Sequence, residues 1–163
     1  MINFETITHE HCLFFLGAVA GEEGPLLNIL KTSDNKYYFT YYIFDDGHYK
    51  DEKAILIVKE TTIEEIKAIF SEESLNKNNG QGLGLLDIFD PSTGQAYYET
   101  LTCAQKFSEL KNKNLEPVPY ETVKERVECT LDNYELFSIL NWSYGKVKRE
   151  NLITYVLEQL DAN

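Results

Sequence analysis

The run Lys36-Tyr-Tyr-Phe-Thr-Tyr-Tyr-Ile-Phe44 is, Lys36 apart, entirely aromatic or β-branched. Such side chains lose rotamer freedom against the preceding turn of a helix and pack well on a pleated surface, so the run predicts a strand. In a strand Tyr37, Phe39, Tyr41 and Ile43 share one face, and Tyr38, Thr40, Tyr42 and Phe44 share the other. The first face is the better core. The second carries hydroxyls that favour wet or hydrogen-bonded surroundings, so the question of a ligand-reading surface narrows to Tyr38 and Tyr42. Packing is the commoner role of strand aromatics, and binding is the sharper reading.

The neighbours extend this strand into a meander. Cys12 to Gly17 is a short apolar run ending in glycine and predicts a buried strand; Leu26 to Lys31 predicts another, with Thr32 to Asn35 as the turn into Lys36. After the polar loop Asp45 to Glu52, Ala54-Ile-Leu-Ile-Val58 is continuous in the way of strands buried on both faces. Thr61 and Thr62, followed by Glu64 and Glu65, have the spacing of a capping box, and Ile63, Ile66, Ile69 and Phe70 recur at helical spacing, which predicts a helix of about three turns. Glu72 to Gly84 is polar and glycine-rich and predicts a mobile loop; Leu85 to Phe89 reads as an apolar turn, Asp90 to Gly94 as a tight turn, and Gln95 to Thr102 as a returning strand.

Beyond Thr102 the texture changes. Cys103 to Asn112 is compatible with a helix, and Leu115-Glu-Pro-Val-Pro119 reads as a connector because of its prolines. Tyr134, Phe137 and Leu140, then Leu152, Ile153, Val156, Leu157 and Leu160, are spaced as buried helix stripes. The predicted class is α+β: an antiparallel β-meander with one short helix inserted, followed by a helical C-terminal third packing on the sheet. Residues 1–114 are assigned to a β-rich core domain and 115–163 to a helical subdomain or extension, across a boundary soft enough to allow a single domain.

Charge restricts the function classes. With 163 residues and a formal net charge of −12, the chain opposes direct nucleic-acid binding, which needs basic patches to release counterions. Three cysteines, Cys12, Cys103 and Cys129, without Cys-x-x-Cys spacing do not make a disulfide framework, and reduced thiols in a cytosol fit them best. The start Met-Ile-Asn-Phe-Glu-Thr lacks the basic region and cleavage site of a secretion signal, and no apolar run approaches a membrane span, so a soluble cytoplasmic protein is expected, with no membrane partner. Its abundance of Asn, Lys, Ile and Tyr resembles the product of an AT-rich bacterial or phage genome.

His9-Glu-His11 is the sharpest local pattern, because in a strand both imidazoles would project to one face. His48, with Asp45, Asp46 or Asp51, could complete a metal site, although solvent-exposed or capping histidines are commoner. Asp45, Asp46, Gly47, Asp51 and Glu52 lack the ligand order of an EF-hand and read as a solvated turn. Gly80-Gln-Gly-Leu-Gly84 follows a helix, where a phosphate-cradling loop would follow a strand. Gly145-Lys-Val-Lys-Arg149 is a small basic cluster. No Gly-x-Ser-x-Gly or His-Glu-x-x-His motif occurs, so no cofactor and no catalytic residue is assigned, and an enzyme is the less supported reading.

A Gly-Pro-Leu-Leu opening (Gly24 to Leu27), a Lys-Tyr-Tyr strand (Lys36 to Tyr38), a short Ile-rich helix, a Leu-Leu-Asp-Ile-Phe turn (Leu85 to Phe89) and a Tyr-Tyr strand (Tyr97, Tyr98) give residues 24–102 the look of an uncharacterised bacterial domain family. The segment resembles that family in packing and turn residues, and the resemblance implies no activity and no site residue. Residues 103–163 fall outside it.

The expected function is therefore a non-catalytic, acidic protein-binding module, a component or inhibitor in an antiviral defence or counter-defence system, with Tyr38, Tyr42, Asp45, Asp46, Asp51 and Glu52 as its partner-binding residues. One alternative is a nucleic-acid mimic, in which these acids together with Glu22 and Glu23 imitate phosphates and block a DNA- or RNA-binding protein. The other is a metal- or Cys-dependent hydrolase, which requires His9, His11 and His48, or one cysteine, to converge in a pocket. A hairpin edge and an apolar C-terminal helix are also compatible with a homodimer.

Overall fold

The computed structural model describes residues 2–19, 22–43, 53–90, 95–100, 115–132, 134–136 and 151–161. Its centre is an antiparallel sheet of six strands in chain order: β1 (Ile7–Val19), β2 (Glu22–Thr32), β3 (Tyr37–Ile43), β4 (Lys53–Thr61), β5 (Gln95–Thr100) and β6 (Glu116–Val118). The α+β class, the meander and a C-terminal helix on the sheet are all present. Around the strands lie a 3₁₀ turn (Phe4–Thr6) and the helices α1 (Ile63–Ile69), α2 (Glu72–Leu75), α3 (Lys77–Gly80), α4 (Leu85–Ile88), α5 (Tyr120–Leu131) and α6 (Leu152–Asp161).

The aromatic run is β3, paired with β2 on one side (Ile29 opposite Phe39, Asn28 opposite Thr40) and β4 on the other (Ile57 opposite Tyr41, Val58 opposite Thr40). Side chains of directly opposed residues share a face, so Ile29, Phe39, Tyr41 and Ile57 lie on one side, and Asn28, Tyr38, Thr40 and Val58 on the other. Helices cover the first side: Phe89, just after α4, packs edge-on to Phe39 at 6.2 Å and tilted to Tyr41 at 6.1 Å, and α6 lies over β1 and β2. The second side is buried as well. Tyr38 and Thr40 are 6% and 0% exposed, and Phe4 from the 3₁₀ turn meets Tyr97 edge-on at 5.3 Å. Burial on both faces is why β4 reads as an unbroken apolar run.

Several elements differ from the sequence reading, each for a physical reason. The edge strand β1 starts at Ile7, because an edge needs no continuous apolar run; Thr8 and Glu10 are exposed between buried Ile7 and half-buried His9 and His11. Irregularities in its pairing with β2, such as that between Cys12 and Phe14, add local twist. The connector around Glu116-Pro117-Val118 is a sixth strand, with Pro117 opposite Tyr97 on the outermost position that tolerates a missing N–H. It lies beyond the soft boundary at residue 114 yet pairs with β5, and one hydrophobic cluster takes in residues from Ile2 to Leu160.

α1 begins where the capping spacing placed it. The Thr62 hydroxyl accepts from the Glu65 N–H at 3.1 Å, while Thr61 donates to the Glu65 carboxylate at 3.0 Å. The helix makes two turns and not three, because Ser71 recaps the chain for α2: its hydroxyl donates to the Ala68 carbonyl at 2.7 Å and accepts from the Ser74 N–H at 3.3 Å. The glycine-rich stretch is organised into α2, α3 and a turn. Asn78 and Asn79 hold left-handed φ of 52° and 57°, followed by Gly80 and Gly82 at 83° and 80°, a geometry that Asn and Gly adopt at the least steric cost. The Asn78 amide donates to the Gly82 carbonyl at 2.8 Å, and Leu136 N–H donates to the Leu83 carbonyl at 2.8 Å, tying the turn to the segment after α5.

Candidate functional site

Register places His9 opposite Lys31 and His11 opposite Ile29, so the two imidazoles do share the helix-covered face. His9 Nδ1 lies 2.9 Å from the Thr8 hydroxyl. His11 sits under α6, edge-on to the Tyr155 ring at 5.8 Å between centroids, and burial lowers its pKa to about 4, which keeps the ring neutral at physiological pH. His48 lies outside the described residues, and among the described residues no group of three or more His, Cys, Asp or Glu could hold a metal ion.

Tyr38 is a core residue with a polar tip. Its ring is buried in the second face, and its hydroxyl reaches out to donate to the exposed Glu60 carboxylate at 3.4 Å. Burial first, then the neighbouring Glu60 charge, pushes the phenol up to about 12. The ring of Tyr38 thus packs in the core, and its hydroxyl meets Glu60. Tyr42 pairs with Leu56 through β3 and β4, with its side chain outside the described set. Asp45, Asp46, Asp51 and Glu52, the basic cluster at 145–149, and Cys103 also lie outside it. Cys129 is exposed on α5 beside Arg126 and Thr122, at a cleft of about 460 Å³ floored by Ile55 and Val123.

Other features were not legible in the sequence. Lys31 Nζ is 3.3 Å from the Asp161 carboxylate and 5.8 Å from the centre of the Tyr37 ring; the Asp161 contact foremost raises the lysine pKa. This pair clips the end of α6 to β2 across most of the chain, a separation at which no periodicity speaks. Lys36 lies between Asp34 at 3.9 Å and Glu60 at 3.8 Å, and the Thr32 hydroxyl donates to Asp34, holding that carboxyl below the ordinary range. Asn28 Oδ1 and Thr40 Oγ1, on opposed residues of β2 and β3, are fully buried and unpartnered.

Tyr134, expected in a buried stripe, is 43% exposed, because the chain leaves α5 before it and enters a single bridge between Glu135 and Gly84. Tyr155 is 36% exposed on α6. Leu152, Val156 and Leu160 form the buried stripe of that helix, while Ile153 and Leu157 are only half-buried on its flank. Across from that flank stands Lys67 of α1, and the groove between them, about 700 Å³, is also bordered by Thr154, Glu158 and Asp161.

No family model matches the chain, and no curated protein or solved structure matches it. None of these comparisons supports the likeness of residues 24–102 to an uncharacterised bacterial family.

Proposed function

We propose that this protein is a non-catalytic binding module that engages a basic protein partner through the side of the molecule formed by its helices. The exposed aromatics carry the reading: Tyr134 and Tyr155 each leave more than a third of their surface in solvent although both are large amphipathic rings, and Tyr is over-represented where interfaces are anchored. The helices also present exposed Glu64, Glu65, Glu72, Glu73 and Glu158, on a chain of net charge −12. Such a field steers a cationic partner into encounter while aromatic area supplies the contact. A component or inhibitor of a bacterial or phage defence system is the setting we propose for it.

A display library of peptides and small domains, selected on the immobilised protein, tests the reading. Enrichment of Lys- and Arg-bearing ligands, reduced by Tyr134→Ser, is the expected result. Enrichment confined to nucleic-acid-binding domains, with affinity collapsing between low and high salt, would give the nucleic-acid mimic instead. No enrichment above a blocked-surface control sinks the module reading.

A further inference from the structure

The groove between α1 and α6 has the composition of a helix-docking site. Its floor is the half-buried pair Ile153 and Leu157, one turn apart on α6. Leu152, Val156 and Leu160 already face the sheet, so the apolar arc of this helix is wider than its own fold covers. A cleft of about 700 Å³ that stays open along its side would leave much of a small molecule in water. An amphipathic helix laid along it could instead insert residues spaced i, i+3, i+4 and i+7.

Charge selects the occupant. Glu158 and Asp161 border one end of the groove, and the C-terminal end of α6 adds its partial negative charge there. Lys31 engages Asp161 at 3.3 Å, while Glu158 is exposed, and Glu64 on α1 stands one turn from Lys67. Among the described residues that line the groove, Lys67 is the cation and Glu158 the carboxylate that Lys31 leaves open, on a chain whose net charge is −12. A second copy of this chain would bring the same negative charge to that border, and nucleic acid would bring more.

We propose that the α1/α6 groove docks an amphipathic helix of a partner protein, with its apolar stripe on Ile153 and Leu157 and a Lys or Arg beside Glu158 at the α6 C-terminal end. The assignment rests on the binding-module reading and narrows it to one surface and one partner chemistry.

The test uses the whole chain, a synthetic Leu/Lys amphipathic helix, and a Leu/Glu helix with the same apolar stripe, observed by methyl and amide NMR. The expected result is saturable shifts centred on Ile153, Thr154 and Leu157 with the Leu/Lys helix, and about tenfold weaker binding by a Thr154→Lys/Glu158→Lys variant, as reversing charges at an interface border weakens association. Both substituted positions are exposed, so an unchanged melting curve is expected of that variant and separates lost binding from lost fold. Leu157→Gln should weaken the same binding without any change of charge. Shifts centred elsewhere, equal binding of the Leu/Glu helix, insensitivity to both variants, or sedimentation showing that a second copy fills the groove would each overturn the assignment. Shifts centred elsewhere would still leave the module reading standing, whereas an empty display selection would remove that reading whatever this peptide does.

Discussion

Thr40 and Asn28 face each other across β2 and β3 with buried side-chain oxygens that have no partner among the described residues. A buried hydroxyl without a hydrogen bond carries its desolvation cost and receives no compensation. Thr40→Val keeps the shape, removes the orphan oxygen and keeps the β-branch that suits a strand. It should therefore raise stability, by about 1 kcal/mol on the scale of an unsatisfied buried polar group, seen as a higher urea midpoint at unchanged slope. A fall in the midpoint would mean that Thr40 is satisfied by an internal water. The placement of Thr40 also shows how far single residues were readable. That Tyr38, Thr40 and Tyr42 share a side follows from strand period alone, but whether that side is wet depends on what is laid over it, including Phe4 from the chain's start, and strand period does not encode that.

Elements were legible where local chemistry decides them and obscure where distant contacts do. The α1 start is in the first group, since Thr62 and Glu65 meet through the backbone of a single turn. Thr62→Ala removes the acceptor for the Glu65 N–H and should cost about 1 kcal/mol, the usual size of a lost helix cap, measured by chemical denaturation. Thr62→Asn should restore most of it, because Asn caps as well as Thr does. β6 is in the second group: Pro117 argues against a strand interior, and only the free edge offered by β5 makes room for it. The Lys31 to Asp161 clip is in the second group too, because it joins residues 130 positions apart. The groove beside α6 was hidden for a related reason. Ile153 and Leu157 belong to the same apolar periodicity as the buried stripe, and only the folded packing of the helix shows them half outside.

At the scale of the whole molecule, acid sensitivity divides into two windows. His11 has a folded pKa of about 4 against an ordinary 6.5, so between these values the unfolded chain binds a proton that the folded chain refuses. Its contribution to stability is complete above pH 6.5, is lost as pH falls towards 4, and changes no further below that. Carboxylates held low in the fold, such as Asp34, act in a lower window, their contribution failing as pH drops through the ordinary carboxylate range and on to the depressed value. Comparing chemical denaturation of the wild type with His11→Leu from about pH 8.5 to pH 4 isolates the first window, since the other titrating groups cancel in the difference. The expected outcome is a stability gap that shifts in favour of the variant as pH falls, with no trend above pH 7. A gap flat across the whole range would show that the His11 ring titrates alike in both states.

The chain-order pairing of the sheet has a consequence for how the protein is made. Strands β1 to β4 each hydrogen-bond only to neighbours in sequence, so that part of the sheet can zip as it leaves a ribosome, at little cost in loop closure. α6, which lies over β1 and β2 and meets His11 through Tyr155, comes latest in sequence among the described elements. Until α6 is made, the nascent meander lacks the cover that this helix gives to the strip of β1 and β2 beneath it. The growing chain is then at its most adhesive, and the arrival of α6 is the step that ends that interval.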